Sequence, residues 1–279
     1  MGRIRNSIEL AKSSWQVLKS DKELLALPVI SGIASIIAAT TFIIPLLATT
    51  YRESETIGAT TYALLFVMYV VLAYITIFFN AALVSAAHER LCGGDPTIGS
   101  AIRGAASRAG KILPWAIVSA TVSIILRAIE ERVGFLGRIV AAFAGMAWTV
   151  VTFLVLPIIV IEDVSVKDAI KKSGNLFKHT WGENLAAQVG FGLIGFIAIL
   201  PAIAIFFLAV SAGGGALVAG IVVAVVWTIA VSVVIAALSV IFQTALYHFA
   251  VDGQVPSGYF GQSIMQSAFR KKGPRGALT

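Results

Sequence analysis

The sequence predicts an all-α integral membrane protein: six transmembrane helices as three hairpins, each preceded by a cytoplasmic amphipathic interfacial helix, with a fourth interfacial helix at the C-terminus. Three observations carry this reading. Hydrophobic residues make up 58% of the 279 and charged residues 13%, where soluble domains hold about 25% charged residues. Mean hydropathy is +0.91. The apolar residues gather into runs longer than about 18, enough to cross a hydrocarbon core. So few charges cannot cover a soluble surface of this size. The runs are also far longer than the roughly 10-residue alternating strands of a membrane barrel. A soluble enzyme, a disordered chain and an outer-membrane barrel are excluded.

The first segment is polar. Ile4, Ile8, Ala11, Trp15 and Leu18 recur at helical spacing, with Arg5, Glu9, Lys12, Gln16 and Lys19 on the other face. This is an amphipathic helix with a lysine-bearing face, of the kind that lies in the membrane interface. The segment is too long for the charged region of a cleavable signal, and Asn6 stands where a myristoylation motif needs Ser or Thr. Six apolar spans follow, at Leu24–Thr50, Thr61–Ala87, Ile112–Ile129, Val133–Ile161, Leu185–Ser211 and Ala216–Phe249.

Basic residues orient them. Arg3, Arg5, Lys12, Lys19 and Lys22 precede the first span. Arg90, Arg103, Arg108 and Lys111 lie between the second and third, and Lys167, Lys171, Lys172 and Lys178 between the fourth and fifth. Arg270, Lys271, Lys272 and Arg275 close the chain. Only Arg52, Arg127, Arg132 and Arg138 fall on the other side. The positive-inside rule then places both termini in the cytoplasm of a cell-membrane protein. The net charge of +7 becomes a collar suited to anionic headgroups rather than to nucleic acid.

The cytoplasmic segments share a start. Ser7-Ile8-x-x-Ala11, Thr97-Ile98-x-x-Ala101 and Ser165-Val166-x-x-Ala169 each set a hydroxyl N-cap before an apolar step, with Ser257-Gly258-x-x-Gly261 as a degenerate fourth. Asp168 answers Ser165 as in a capping box, and Val166, Ile170 and Phe177 make an apolar face beside Lys171, Lys172 and Lys178. His88, Gly93 and Pro96 match His248, Gly253 and Pro256 at a constant offset of 160. The chain is read as one membrane domain of three units, 1–87, 88–161 and 162–249, with a tail at 250–279. Two-span units insert in one orientation, so they relate by an axis along the membrane normal.

Three stretches carry a resemblance: Ala128-Ile-Glu-Glu-Arg-Val-Gly134, Leu156-Pro-Ile-Ile-Val-Ile-Glu-Asp163 and His179-Thr-Trp-Gly-Glu-Asn-Leu185. They resemble an uncharacterised family of prokaryotic six-span integral membrane proteins. More loosely, the run from Pro157 through Ala169, Ser173, Leu176 and Trp181 is similar to the membrane domain attached to some glycerophosphodiester phosphodiesterases. The catalytic barrel of those enzymes needs some 250 further residues. The resemblance therefore implies a membrane module and no activity.

Chemistry-bearing motifs are sparse. Gly190-Phe-Gly192-Leu-Ile-Gly195 spells a dinucleotide fingerprint but sits inside an apolar span with no strand before it. Its glycines read as helix-packing positions. So do the small-residue ridges Gly137, Ala141, Gly145, Thr149 and Ala212, Ala216, Gly220, Ala224. His88, Glu89, Cys92 and Asp95 offer metal-ligand types, but a zinc site needs a second cluster. The segment reads as a polar helix terminus, with His88 near the C-terminal dipole. Cys92 is the one cysteine, and neither metal nor cofactor is expected.

Intramembrane polar side chains are costly in lipid, so Asn80, Arg127, Gln188 and Gln243 are the candidate buried polar positions. Each amide can equally hold helices together, and Arg127 can snorkel outward. Glu162 and Asp163, with Lys167, Lys171 and Lys172, make either a salt-bridged cytoplasmic elbow or a cation site. Glu130, Glu131 and Arg132 form a solvated outer turn. No hydrolase triad, metalloprotease or phosphate-loop motif is present. The function expected is a non-enzymatic membrane module engaging lipid headgroups, a partner membrane protein or a second copy of itself through its basic helices. The rivals are a small permease or channel with a path along the bundle axis near Asn80 and Gln243, and a lipid-modifying enzyme.

Overall fold

Each predicted span is helical in the computed structural model, the fourth as two helices in succession. The structure describes residues 2–52, 58–180, 186–253 and 258–260, and the side chains of 2–8, 50–52, 135–136, 177–180 and 186–193 lie outside the described set. Helix α1 spans Gly2–Ser20 and, through a short 3₁₀ turn at Lys22–Leu25, leads into α2, Ala26–Arg52. Then come α3 (Ala59–Leu91), α4 (Ile98–Ala106), α5 (Ala109–Arg132), α6 (Phe135–Thr152) and α7 (Val155–Glu162). The described chain continues with α8 (Val166–Thr180), α9 (Ala186–Ala212) and α10 (Gly214–Asp252). It is all-α, a multi-pass membrane protein with six spans: α2, α3, α5, the α6–α7 pair, α9 and α10.

Burial divides the molecule crosswise. One end, where α1, α4 and α8 lie, carries the close-packed core; we call it the collar end. Ala81, Ala82, Ala86 and Ala87 of α3, Ala101 and Ala105 of α4, and Ala237 and Ala245 of α10 are fully buried there. Such small side chains let helix backbones approach closely. Gly104 extends this, since a Cβ on it would overlap the Ser85 hydroxyl of α3. Toward the other end large apolar side chains face outward, among them Ile44, Phe143, Phe207, Leu208, Val218 and Val226. A soluble fold could not sustain such a belt; in a bilayer, hydrocarbon replaces water around it.

Helices α1, α4 and α8 turn their apolar faces onto this core. The stripe expected for α1 is rotated. Leu10, Ser13, Ser14, Val17 and Leu18 are buried, where α1 packs on α9 and α10, while Trp15 points out at 39% exposure. The protein, not lipid, covers that face. The caps follow the sequence pattern. Thr97 Oγ1 accepts from Ser100 N at 3.1 Å and Ser100 Oγ accepts from Thr97 N at 3.0 Å. Ser165 Oγ accepts from Asp168 N at 3.2 Å. Of the tail, only residues 258–260 are described: Phe260 is buried in the core rather than lipid-facing, and Tyr259 OH lies 3.2 Å from Ser20 Oγ. The fourth interfacial helix expected beyond it lies outside the described residues.

The fourth span, expected to run unbroken over Val133–Ile161, is split at Phe153–Leu154. Pro157 explains the break. It has no N–H for the carbonyl four residues back, that of Phe153. The Nε2 of Gln243 on α10 donates to that orphaned oxygen, and the Leu154 N–H donates to Ser173 Oγ of α8 at 3.2 Å. Helices α10 and α8 thus satisfy the Phe153 carbonyl and the Leu154 N–H at the break. Gln243→Leu leaves a half-buried carbonyl without this donor, which costs about 1 kcal/mol, the lower end for an unsatisfied group. Its melting temperature in detergent is expected to fall below wild type, and an unchanged value would show that the carbonyl has another donor.

The sixth span is one uninterrupted helix of 39 residues, about 58 Å at 1.5 Å per residue. Its last third, from Ala237 to His248, is embedded in the collar-end core. The excess over a hydrocarbon core of about 30 Å is taken up inside the protein rather than by a kink.

Candidate functional site

The collar end gathers the charged and titratable side chains into three clusters. The first joins the entry of α2 to the exit of α3. Asp21 stands at the N-terminal boundary of the 3₁₀ turn, its side chain making no cap hydrogen bond, and is 5% exposed. Arg90 grips it with two nitrogens: Nε donates to Oδ2 at 2.5 Å and Nη2 to Oδ1. The same Nη2 donates to Asp95 Oδ1 at 2.5 Å. A two-pronged guanidinium–carboxylate contact is directional as well as strong. Glu89 turns to α4 and accepts from Ser100 Oγ at 3.0 Å.

The second cluster lies where α7 ends. Glu162 accepts from Tyr247 OH of α10 at 2.5 Å and from Lys172 Nζ of α8 at 2.7 Å. Asp163 closes the helix in the left-handed region, φ 56° and ψ 38°, which Asp tolerates better than most residues. Its partners come from the α4–α5 junction: Lys111 Nζ is 2.5 Å and Arg108 Nε 3.1 Å from Oδ1. The Lys111 hydrogen bond first, then the Arg108 charge, holds the Asp163 carboxyl below its ordinary range.

The third cluster pairs the ends of α3 and α10. Both helices stop at a glycine with positive φ, Gly93 at 88° and Gly253 at 70°, the left-handed cap that glycine accepts without penalty. A histidine sits one turn before each. His88 Nδ1 lies 2.9 Å from His248 Nε2, with the rings nearly parallel and their centroids 5.0 Å apart. Cys92 Sγ is 3.8 Å from His88 Nδ1, and Asp252 Oδ2 is 3.3 Å from His248 Nδ1. Partial burial, then the Asp252 charge, pushes the Cys92 thiol up. It stays protonated near neutral pH and is a poor nucleophile.

The sequence-derived candidates fall out as follows. Gln243 is engaged with the Phe153 carbonyl. Asn80 is half-buried on α3. Arg127 is exposed and pairs with Glu131 at 3.3 Å, one turn on in α5. The side chain of Gln188 lies outside the described residues. Of the elbow residues, Glu162 and Lys172 meet, Asp163 takes its cations from elsewhere, and Lys171 is on the exposed face of α8. Pairing of His88 with His248, of Asp21 with Arg90 and of Glu162 with Tyr247 was not read from the sequence. The constant offset of 160 was the one signal for the histidines; it marked them as equivalent without showing that they touch. A cleft of about 390 Å³ lies between α9 and α10, lined by Ile199, Ala202, Phe206, Ala224, Thr228 and other apolar neighbours. It is not a polar path along the axis.

A family model described as a family of unknown function (DUF6159) matches residues 59–258, well over half of the chain. The chain belongs to this family. The matched span runs from α3 through α10 and holds all of the third cluster and all of the second. Comparison with curated proteins and with solved structures found no match.

Proposed function

We propose that this protein is a non-enzymatic module of the cell membrane, with both termini cytoplasmic, whose collar of basic helices engages anionic lipid headgroups. One observation carries the reading: Asp21, Glu162 and Asp163 are engaged within the protein while six basic side chains of the collar face outward. Asp21 pairs with Arg90, Glu162 with Lys172, and Asp163 with both Lys111 and Arg108 within the protein. Lys12, Lys19, Lys22, Arg103, Lys167 and Lys171 remain on exposed surfaces of α1, the following turn, α4 and α8. Lys19 Nζ lies 5.9 Å from the centre of the exposed Trp15 ring, a cation–aromatic pair that suits the headgroup level. Each lysine or arginine near an anionic surface contributes about 1 kcal/mol, reduced by salt.

The three units, and the likeness of Pro157–Trp181 to a phosphodiesterase-associated membrane domain, bear on architecture and supply no activity. A permease is the weaker reading, because Gln243 is occupied by a backbone carbonyl. The test uses the full chain in nanodiscs of phosphatidylcholine with or without phosphatidylglycerol. Anionic lipid is expected to co-purify with wild type after detergent extraction and to raise its melting temperature. Replacement of Lys12, Lys19, Arg103, Lys167 and Lys171 by Gln is expected to abolish both effects. Equal retention of the two lipids by wild type would overturn the proposal. So would an unchanged lipid response in the variant, and a changed oligomeric state alongside it would assign the collar to a protein contact.

A further inference from the structure

We propose that His88, Cys92 and His248 form a zinc site that clasps the end of α3 to the end of α10. Their ligand atoms, Nδ1, Sγ and Nε2, all lie within 4.8 Å of one another. Zinc–nitrogen bonds of about 2.0–2.1 Å and zinc–sulfur bonds of about 2.3 Å in a tetrahedron set ligand edges of roughly 3.3 Å between nitrogens and 3.6 Å from nitrogen to sulfur. The observed 2.9 Å and 3.8 Å on either side of His88 Nδ1 are a few tenths of an ångström from those edges. The third pair, Cys92 Sγ and His248 Nε2, lies within the same 4.8 Å, and Cys92 is exposed, so its side chain has room to turn toward the metal.

Protonation agrees with this placement. Two imidazole nitrogens at 2.9 Å need one hydrogen between them. Asp252 Oδ2 lies 3.3 Å from His248 Nδ1 and favours the tautomer with its hydrogen there, in which Nε2 is the free ring nitrogen facing His88. The hydrogen between the rings is then that of His88 Nδ1. On binding zinc that hydrogen is given up: the His88 proton moves to Nε2, the Cys92 thiol gives its proton to solvent, the two rings turn so that their nitrogens converge on a point off the line between them, and both nitrogens and the thiolate sulfur donate to the metal. Asp252 becomes the outer carboxylate that orients a ligating histidine, a recurrent companion of zinc-bound imidazole. Two neutral imidazoles and one thiolate leave the ion with a single positive charge, which Asp252 offsets. Three protein ligands leave a fourth position for water or a further donor, and Cys92 opens the site to solvent. The sequence lacked a second ligand group near His88 and Cys92; α10 supplies it from 160 residues away.

The experiment uses the full chain in detergent, dialysed against a chelator and then titrated with zinc chloride, and in parallel with cobalt chloride. Wild type is expected to bind one equivalent of zinc, to melt at a higher temperature with it, and to show a thiolate-to-cobalt charge-transfer band. Cys92→Ser, a near-isosteric change at an exposed position, is expected to fold normally, to lose the cobalt band and to lose the zinc-dependent rise in melting temperature. Asp252→Asn is expected to weaken zinc about 10–100-fold. His248 is buried, so His88→Gln, at the half-exposed partner, reads the imidazole contribution. No retained zinc in wild type would overturn the site, and so would zinc binding by Cys92→Ser with wild-type affinity.

Discussion

Asp21→Ala is expected to be the most damaging single substitution at the collar end. Asp21 and Arg90 are 5% and 17% exposed, so removing the carboxylate leaves a largely buried guanidinium without its two-pronged partner. Breaking one side of such a pair costs about 3–5 kcal/mol. The lower end applies here, because Asp95 still reaches Arg90 Nη2. A loss of about 3 kcal/mol corresponds to a fall of roughly 5–10 °C in melting temperature for a chain of this size. Asp95 is 92% exposed, and Asp95→Ala is expected to cost under about 1 kcal/mol. The double change Asp21→Leu with Arg90→Met removes both charges together and is expected to recover most of the loss, since the penalty comes from the orphaned charge rather than the missing attraction. Equal melting temperatures for Asp21→Ala and Asp95→Ala would show that burial does not govern this fork.

Gly220→Leu is expected to have the next largest effect, through helix packing. A Cβ on Gly220 would overlap the Cβ of Ala209 on α9, and both backbones are held by long regular helices. Overpacking a contact of this kind costs about 1–3 kcal/mol, and the remainder of a leucine side chain raises that further. Val223, one turn on and 51% exposed, faces outward, so Val223→Leu is expected to leave the melting temperature within about 1 °C of wild type. The contact is narrower than the ridge read from spacing. Gly220 meets α9 and Ala224 is buried beside the α9–α10 cleft, whereas Ala212 and Ala216 are exposed. On α6, Ala141 is buried while a Cβ on Gly145 would meet nothing. Spacing by four names a helix face; the crossing point decides how much of that face is used. If both variants melt at the same temperature, the α9–α10 approach at Gly220 is not a packing contact.

The sequence by itself determined the spans, their count and the hydroxyl caps of α4 and α8. These are local properties. A run of apolar residues needs only its own length to cross hydrocarbon, and a cap needs only the next three residues. The break in the fourth span was within reach of the same reasoning, because Pro157 frees the Phe153 carbonyl whatever surrounds it. What surrounds it was not: Gln243 and Ser173 come from two other helices. The direction of α1 was likewise decided by its neighbours. Its composition allows either face inward, and burial against α9 and α10 selected Leu10, Val17 and Leu18 over Trp15. The candidate site belongs to tertiary structure alone. Its pairs join residues 69, 85 and 160 positions apart, and no periodicity along one helix specifies which end of another it meets. The chain made His88 and His248 equivalent, each one turn before a left-handed glycine; only the packing of α3 against α10 set their nitrogens face to face.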